Sequence, residues 1–514
     1  MFNNKLDLKE NKKKYIQLFI FYSISHIWIF LILDSIFWDD WSIYNTNPQI
    51  IKNMFSMYGT PIIGYLHTFL LKLGPPIYKL LTFLIFFING ILLDQILKRN
   101  AFISENNRFF ICLLFLVSPL NIARVTLICF PYTFCTFLFF LAWFLLPTKR
   151  FISLILFLFS FTTNSLLVFY CLPIIEIFYT HYKFNKNYIL KFIKKNLFFI
   201  FCPFIFYFLK IYFFNPKGIY EGYNSNFEIK NLLFTPLLQI NDLIEFKSAY
   251  ILLIPIIVLF LSYIFYKYIP LKEDLEDSYH FKKILLFGLL STLCALFPYW
   301  ILNHTPAFTD WNSRHQLLMP LGISVLITAI LSRYEIKSRK ILLSLFITIF
   351  LIVNFTNYIS LVNDFAKQNQ IIKIISNNRD LIDSNIVIFQ DKTFNAFGRS
   401  YRNNEWQGIL NKSLPEKNLI GLNSYKKINS LKDVFKNQCQ IYGGIRIENL
   451  PQDFKISTIK IYYDQNTNFS FLTKAIRKIK TFGYKPIKIE IEQDSNIYKF
   501  DEINSEENQT LECI

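Results

Sequence analysis

The sequence predicts a mainly α-helical, polytopic membrane bundle of about eleven spans, followed by a small C-terminal α/β extracytoplasmic domain. Three observations carry this expectation. The 514 residues are 53% hydrophobic with a mean hydropathy of +0.32, more apolar than a soluble domain sustains. Long apolar runs recur from Tyr15 to Tyr358. The net charge of +18 comes from Lys and Arg that fall mostly in the short connections between those runs, where orientation explains them. No basic helix or RNA-binding aromatic motif accompanies that charge, so nucleic acid is not an expected partner.

The elements follow in order. Lys5, Lys9, Lys12, Lys13 and Lys14 place residues 1–14 in the cytoplasm. The domain of residues 15–360 then begins with a run from Tyr15 to Leu33, long enough to cross a bilayer, and exits into an external loop at residues 34–74. Within that loop Asn47-Pro48 is a helix start, an N-cap followed by proline at the first helical position. Ile50, Ile51, Met54, Phe55 and Tyr58 share one face of the predicted helix, which suits the outer membrane surface.

Further spans are expected at residues 77–97, 109–128 and 131–146. The run from Phe151 to Tyr179 is too long for one span and too short for two, and TTNSLL breaks it, so two short helices are expected there. Spans at 197–214, 250–266, 284–302, 317–331 and 341–358 complete the set. The composition changes at about Asn363. Residues 361–514 are polar, with strand-like runs NIVIF, KISTIKIYYD and KPIKIEIE and a helical FLTKAIRKIK. Of eight cysteines, six lie in or beside apolar runs and read as small fillers; Cys439 and Cys513 fall in the tail, and their pairing is open.

Three constellations bear chemistry. In DSIFWDDWSIY, Asp34, Asp39 and Asp40 sit at the lip of the first span. The plainer reading is a capped surface helix anchored by aromatics. The functional one is a general base, partly desolvated and within reach of both a lipid-linked donor and a soluble acceptor. Adjacent residues point to opposite sides, so one of Asp39 and Asp40 is expected to face the site. In DWNSRHQLLMPLG, Arg314 and His315 stand at the external mouth of a span, where a guanidinium either snorkels or binds phosphate. Arg124, near the outer end of the third span, carries the same two readings, and Lys217 is a weaker loop candidate for the same donor phosphate. His67 and His304 read as satisfied polar residues.

There is no P-loop, no GxGxxG after a strand, no nucleophile elbow and no HExxH, which argues against an ATP-driven pump, a nucleotide-sugar-binding soluble transferase and a zinc protease. No Cys/His ligand spacing for zinc is present, and a divalent cation as cofactor is left open. The energy for any chemistry would then reside in an activated lipid phosphate.

This layout resembles the GT-C class of integral membrane glycosyltransferases. Trp38-Asp39-Asp40-Trp41 is similar to the acidic motif of bacterial members, and DWNSRHQLLMPLG and RSYRNNEWQG (Arg399 to Gly408) resemble segments of uncharacterised multi-pass proteins grouped with them. The resemblance implies a bacterial inner-membrane enzyme with a polyprenyl-phosphate-linked sugar as donor. It implies a periplasmic glycan or lipid-linked saccharide as acceptor, and Asp39 or Asp40, with Asp34 as a third candidate, as base or acceptor-orienting group. The rival readings are an O-antigen polymerase or ligase, a flippase or transporter, and a non-catalytic assembly protein.

Overall fold

The structure, a computed structural model, describes residues 2–181, 186–222, 227–228, 230–232, 235–236, 254–269, 280–304, 311–393, 399–417, 419–424, 453–463 and 486–499. It is mainly helical with a small C-terminal sheet. Among the described residues, five helices are long and apolar enough to cross a membrane: Lys12–Ile32, Pro75–Leu97, Asn187–Phe213, Phe281–Trp300 and Ile336–Asn377. Their outward faces carry exposed Phe, Leu, Ile and Tyr side chains, as at Phe198, Phe204, Leu286 and Leu293, which suits contact with acyl chains rather than water.

The other apolar helices are shorter, so the expected eleven spans are matched only in part. The expected third span is the clearest difference. The helix runs only from Glu105 to Val117, because Pro119 forces Ser118 into an extended conformation (ψ 130°). Every residue from Phe109 to Val117 is buried, so this helix is a core rod enclosed by its neighbours. The chain then makes a single 3-10 turn, Ile122–Val125, before the helix Phe130–Leu145. The run after Phe151 breaks at TTNSLL as expected, but into three helices rather than two: Arg150–Ser160, Ser165–Phe169 and Cys171–His181.

In the first loop, the expected helix forms at Pro48–Met57, and the Asn47 side chain accepts the Gln49 N–H at 2.8 Å. Ahead of it, Trp38–Ser42 form a 3-10 turn that carries the adjacent carboxylates.

The last span does not end where the composition changes. Ile336–Asn377 is one continuous helix of 42 residues, about 63 Å long at 1.5 Å per residue. Its C-terminal part is the support on which the sheet folds. Strands β1 (Ile386–Asp391), β2 (Ile420–Leu422), β3 (Asp453–Tyr463) and β4 (Ile487–Lys499) lie in the order β2-β1-β3-β4. The first three are parallel and β4 is antiparallel to β3. The helix Asn403–Ser413 is the crossover between β1 and β2. The three strand-like runs thus form strands, while FLTKAIRKIK, Cys439 and Cys513 lie outside the described residues.

Two hydrophobic cores result. The larger joins the membrane helices. The second is shared: Ile36, Trp41, Ile43 and Ile51 of the first loop pack in one cluster with Ile371 and Ile375 of the long helix and Val387, Trp406 and Ile409 of the sheet domain. Loop and tail, more than 300 residues apart in sequence, are therefore one packed unit.

Candidate functional site

The turn Trp38–Ser42 presents its two carboxylates in opposite directions. Asp40 is fully buried. Its Oδ1 accepts the Ile128 N–H at 2.8 Å and its Oδ2 the Phe37 N–H at 3.2 Å, with the Leu127 N–H a third donor. Burial raises its carboxyl to about 6, against the Lys79 ammonium and those backbone donors, which pull it down. Lys79 is itself buried and donates to the Val125 carbonyl. Asp40 therefore pins the turn to residues 125–128. With both oxygens engaged by backbone N–H groups, it has poor geometry for taking a proton from a substrate.

Asp39 faces the other way and is half-buried. The Asn404 amide donates to its Oδ1 at 3.2 Å and also reaches Ser42 Oγ at 3.3 Å. Burial raises its carboxyl above the ordinary range, while the positive charges of Arg402 and Arg314 pull it back. No ion pair among the described residues involves Asp39, Arg314 or Arg402, so these charges act on one another without a close contact.

Arg314 lies on a 3-10 turn, Trp311–Gln316, that packs on the turn Ile122–Val125 through a 3.0 Å bond from the Ala123 N–H to Ser313 Oγ. Its Nη1 donates to the Trp311 carbonyl at 3.2 Å and to Asn312 Oδ1 at 2.9 Å. Its guanidinium carbon stands 4.7 Å from the centre of the Trp38 ring, and Arg402 approaches the same ring at 5.9 Å. Trp38 in turn lies parallel to Trp311, with centres 6.2 Å apart. Trp38 holds a φ of +52°, a left-handed conformation that costs an L-residue about 1–2 kcal/mol. Such strain persists where the surroundings over-determine it, as the two tryptophans and two arginines do here.

The C-terminal domain supplies part of this site. Arg399 forms a two-pronged pair with Glu405, at 2.6 and 2.7 Å, and stands 5.7 Å from the Trp311 ring. Glu405 also accepts the Arg402 N–H at 2.9 Å, reaching back to cap its helix. Tyr401, between the two arginines, is buried and donates to Asp364 of the long helix at 2.7 Å. The segment is held from below by the stacking of Trp406 on Phe389, with centres 4.3 Å apart. Gly408 rests directly on the Trp41 indole, where any Cβ would meet the ring.

The other expected residues lie elsewhere. Asp34 is exposed, and its charge acts on Lys412 at the far end of the crossover helix. Arg124 is buried in the helical core: its Nη2 lies 2.9 and 3.0 Å from the ring nitrogens of His26, and its guanidinium covers Phe86 at 4.1 Å. His315 is buried in a stack with His304, 4.9 Å between ring centres, beside Tyr299. The Lys217 side chain is exposed, and its backbone N–H bonds Met57. Arg399, Arg402, Asn404 and Glu405, all within RSYRNNEWQG, carry no individual signal in the sequence and join the site through the fold. Among the described residues no group of three or more His, Cys, Asp or Glu could hold a metal ion.

Comparison with family models, with curated proteins and with solved structures finds no match for the chain.

Proposed function

We propose that the protein is an inner-membrane glycosyltransferase of GT-C type, moving one sugar from a polyprenyl-phosphate carrier to a periplasmic glycan or lipid-linked acceptor. The observation that carries this reading is Asp39: a half-buried carboxylate, raised above its ordinary range by burial, in the field of two arginines that form no ion pair among the described residues. That setting suits a general base beside a phosphate leaving group. In the reaction the acceptor hydroxyl oxygen bonds to C1 of the sugar. The C1–O bond to phosphate breaks with its electron pair leaving on the phosphate oxygen, and the hydroxyl proton passes to Asp39. Arg314 steadies the charge on the departing phosphate. In this reading the shorter apolar helices supply the remaining crossings of an eleven-span arrangement. The N-terminus is cytoplasmic and the sheet domain periplasmic.

The test is sugar transfer from a labelled polyprenyl-phosphate sugar by membranes holding equal amounts of folded protein. Asp39→Asn lowers the rate by about 10²–10⁴-fold, the range for loss of a general base. A rate within a factor of two of wild type would remove Asp39 from the chemistry.

One contact favours a second reading. Asn404 ties Asp39 and Ser42 to the crossover helix, as it would in a non-catalytic assembly protein whose acidic turn serves only to dock the C-terminal domain. That reading expects Asp39→Asn to loosen the domain, seen as faster proteolysis near residue 400, with no transfer activity to lose in the wild type.

A further inference from the structure

Arg402 belongs to the C-terminal domain, yet its guanidinium carbon stands over the ring of Trp38, the residue beside Asp39, where Arg314 also stands. The three arginines near this turn are not equivalent. Arg399 is matched by Glu405 in a two-pronged pair, and Glu405 is buried, so that charge is committed within the domain. Arg402 is exposed, Arg314 is half-buried, and neither takes part in an ion pair among the described residues. With Asp39 ionised, Arg314 and Arg402 together leave a single positive charge to be met. A phosphodiester carries a single negative charge, and two planar guanidiniums that both approach Trp38 and act on Asp39 suit its two free oxygens.

Arg402 is also held in position. Tyr401 is anchored to Asp364 of the long helix, Glu405 caps the Arg402 N–H, and Gly408 seats the crossover helix on Trp41. These contacts fix the backbone from which the Arg402 side chain reaches Trp38.

We infer that Arg402 is the second arm of a phosphate clamp with Arg314, taking the monoanionic phosphodiester of a lipid-linked sugar, and that the clamp is complete only while the crossover helix is docked on the acidic turn. The inference rests on the transferase reading for the identity of the ligand, but the clamp itself is testable by binding alone.

The experiment uses the full chain in detergent, with polyprenyl phosphate as one probe and inorganic phosphate as the other, followed by quenching of tryptophan fluorescence. Arg402→Ala and Arg314→Ala each weaken binding of polyprenyl phosphate by roughly tenfold or more, the loss of one charge-assisted contact. Arg402→Lys restores part of that loss, and Lys412→Ala changes nothing. Gly408→Leu, which keeps both arginines in the sequence but unseats the helix that carries Arg402, weakens binding as Arg402→Ala does. Binding of inorganic phosphate alone, with the same arginine dependence, identifies a soluble anion as the ligand and overturns the lipid assignment. Unchanged affinity in Arg402→Ala while Arg314→Ala loses binding would overturn the clamp. Tight binding retained in Gly408→Leu would overturn its dependence on docking. Arg402-dependent binding in a protein that transfers no sugar leaves the clamp standing and rejects the transferase reading, so the two fail separately.

Discussion

Asp39 and Asp40 are neighbours on one short turn, yet they face two different parts of the molecule. Asp40 points into the helical bundle, where three backbone N–H groups and the charge of Lys79 hold it. Asp39 points toward the sheet domain, where it meets the Asn404 amide and feels the charges of Arg402 and, from the helical part, Arg314, neither of which forms an ion pair among the described residues. Two carboxylates of the same type thus differ in what remains available to them. Both of Asp40's oxygens are engaged by fixed backbone groups. Asp39 keeps an oxygen with no bond to the described residues, in a positive field and half shielded from water. The lesson is that burial alone does not mark a base; what matters is what the carboxylate has left to accept.

The same contrast separates the arginines. Arg124 and Arg314 lie on 3-10 turns that touch through Ala123 and Ser313. Arg124 turns to His26 and Phe86 in the core, and Arg314 turns to Trp38 at the site.

The widest separation is expected from exchanging the two carboxylates in turn. Asp39→Asn should abolish most transfer while thermal unfolding stays at the wild-type midpoint. Asp40→Asn sets an amide N–H₂ against backbone donors and should cost about 2 kcal/mol of stability, with an earlier unfolding midpoint. The protein that still folds should keep its KM. Equal behaviour of the two variants would erase the distinction.

A second, smaller break acts on the support under Arg402. Tyr401→Phe removes the bond to Asp364 and should cost about 1 kcal/mol. It should also raise KM for the lipid donor more than it lowers kcat, because Arg402 loses its anchor. Unchanged KM would mean that Tyr401 stabilises the domain without serving the site.

A third break acts through the pH dependence of stability. In the folded protein Asp40 binds its proton more tightly than an ordinary carboxyl, at about 6 rather than 3.8. The stability this group contributes is therefore fully present below pH 4 and is lost as pH rises to about 6. Measured as the difference in unfolding midpoint between wild type and Asp40→Asn, the wild type should lose ground across that window and stay level above it.

Much of this architecture is legible locally. Asn47-Pro48 announces the helix Pro48–Met57, and alternating residues in KISTIKIYYD and KPIKIEIE announce β3 and β4. Pro119 also marks the end of the short helix, though the apolar letters beyond it read as a longer span. Asp39 stands out because a charge at the membrane edge needs a reason. What the sequence does not display is tertiary. Which neighbouring aspartate turns inward depends on the 3-10 turn and on donors at Leu127 and Ile128. Arg402 meets Trp38 only because the crossover helix folds back over the first loop, and its one local hint is the Arg-rich, Trp-bearing RSYRNNEW. Arg124 reads as a membrane-edge cation, whereas the fold sets His26, the last residue of the first helix, beside it.

The acid limb of the pH profile for sugar transfer tests the role of Asp39 most directly. The base must be ionised, so the rate should rise with pH through the raised carboxyl of Asp39 and then level off. Arg314→Ala removes a charge that favours the ionised form, so its limb should move to higher pH as its maximum falls. A limb at the same pH in wild type and Arg314→Ala, or a rate independent of pH across the carboxylate range, would contradict a proton transfer to Asp39 under these arginines.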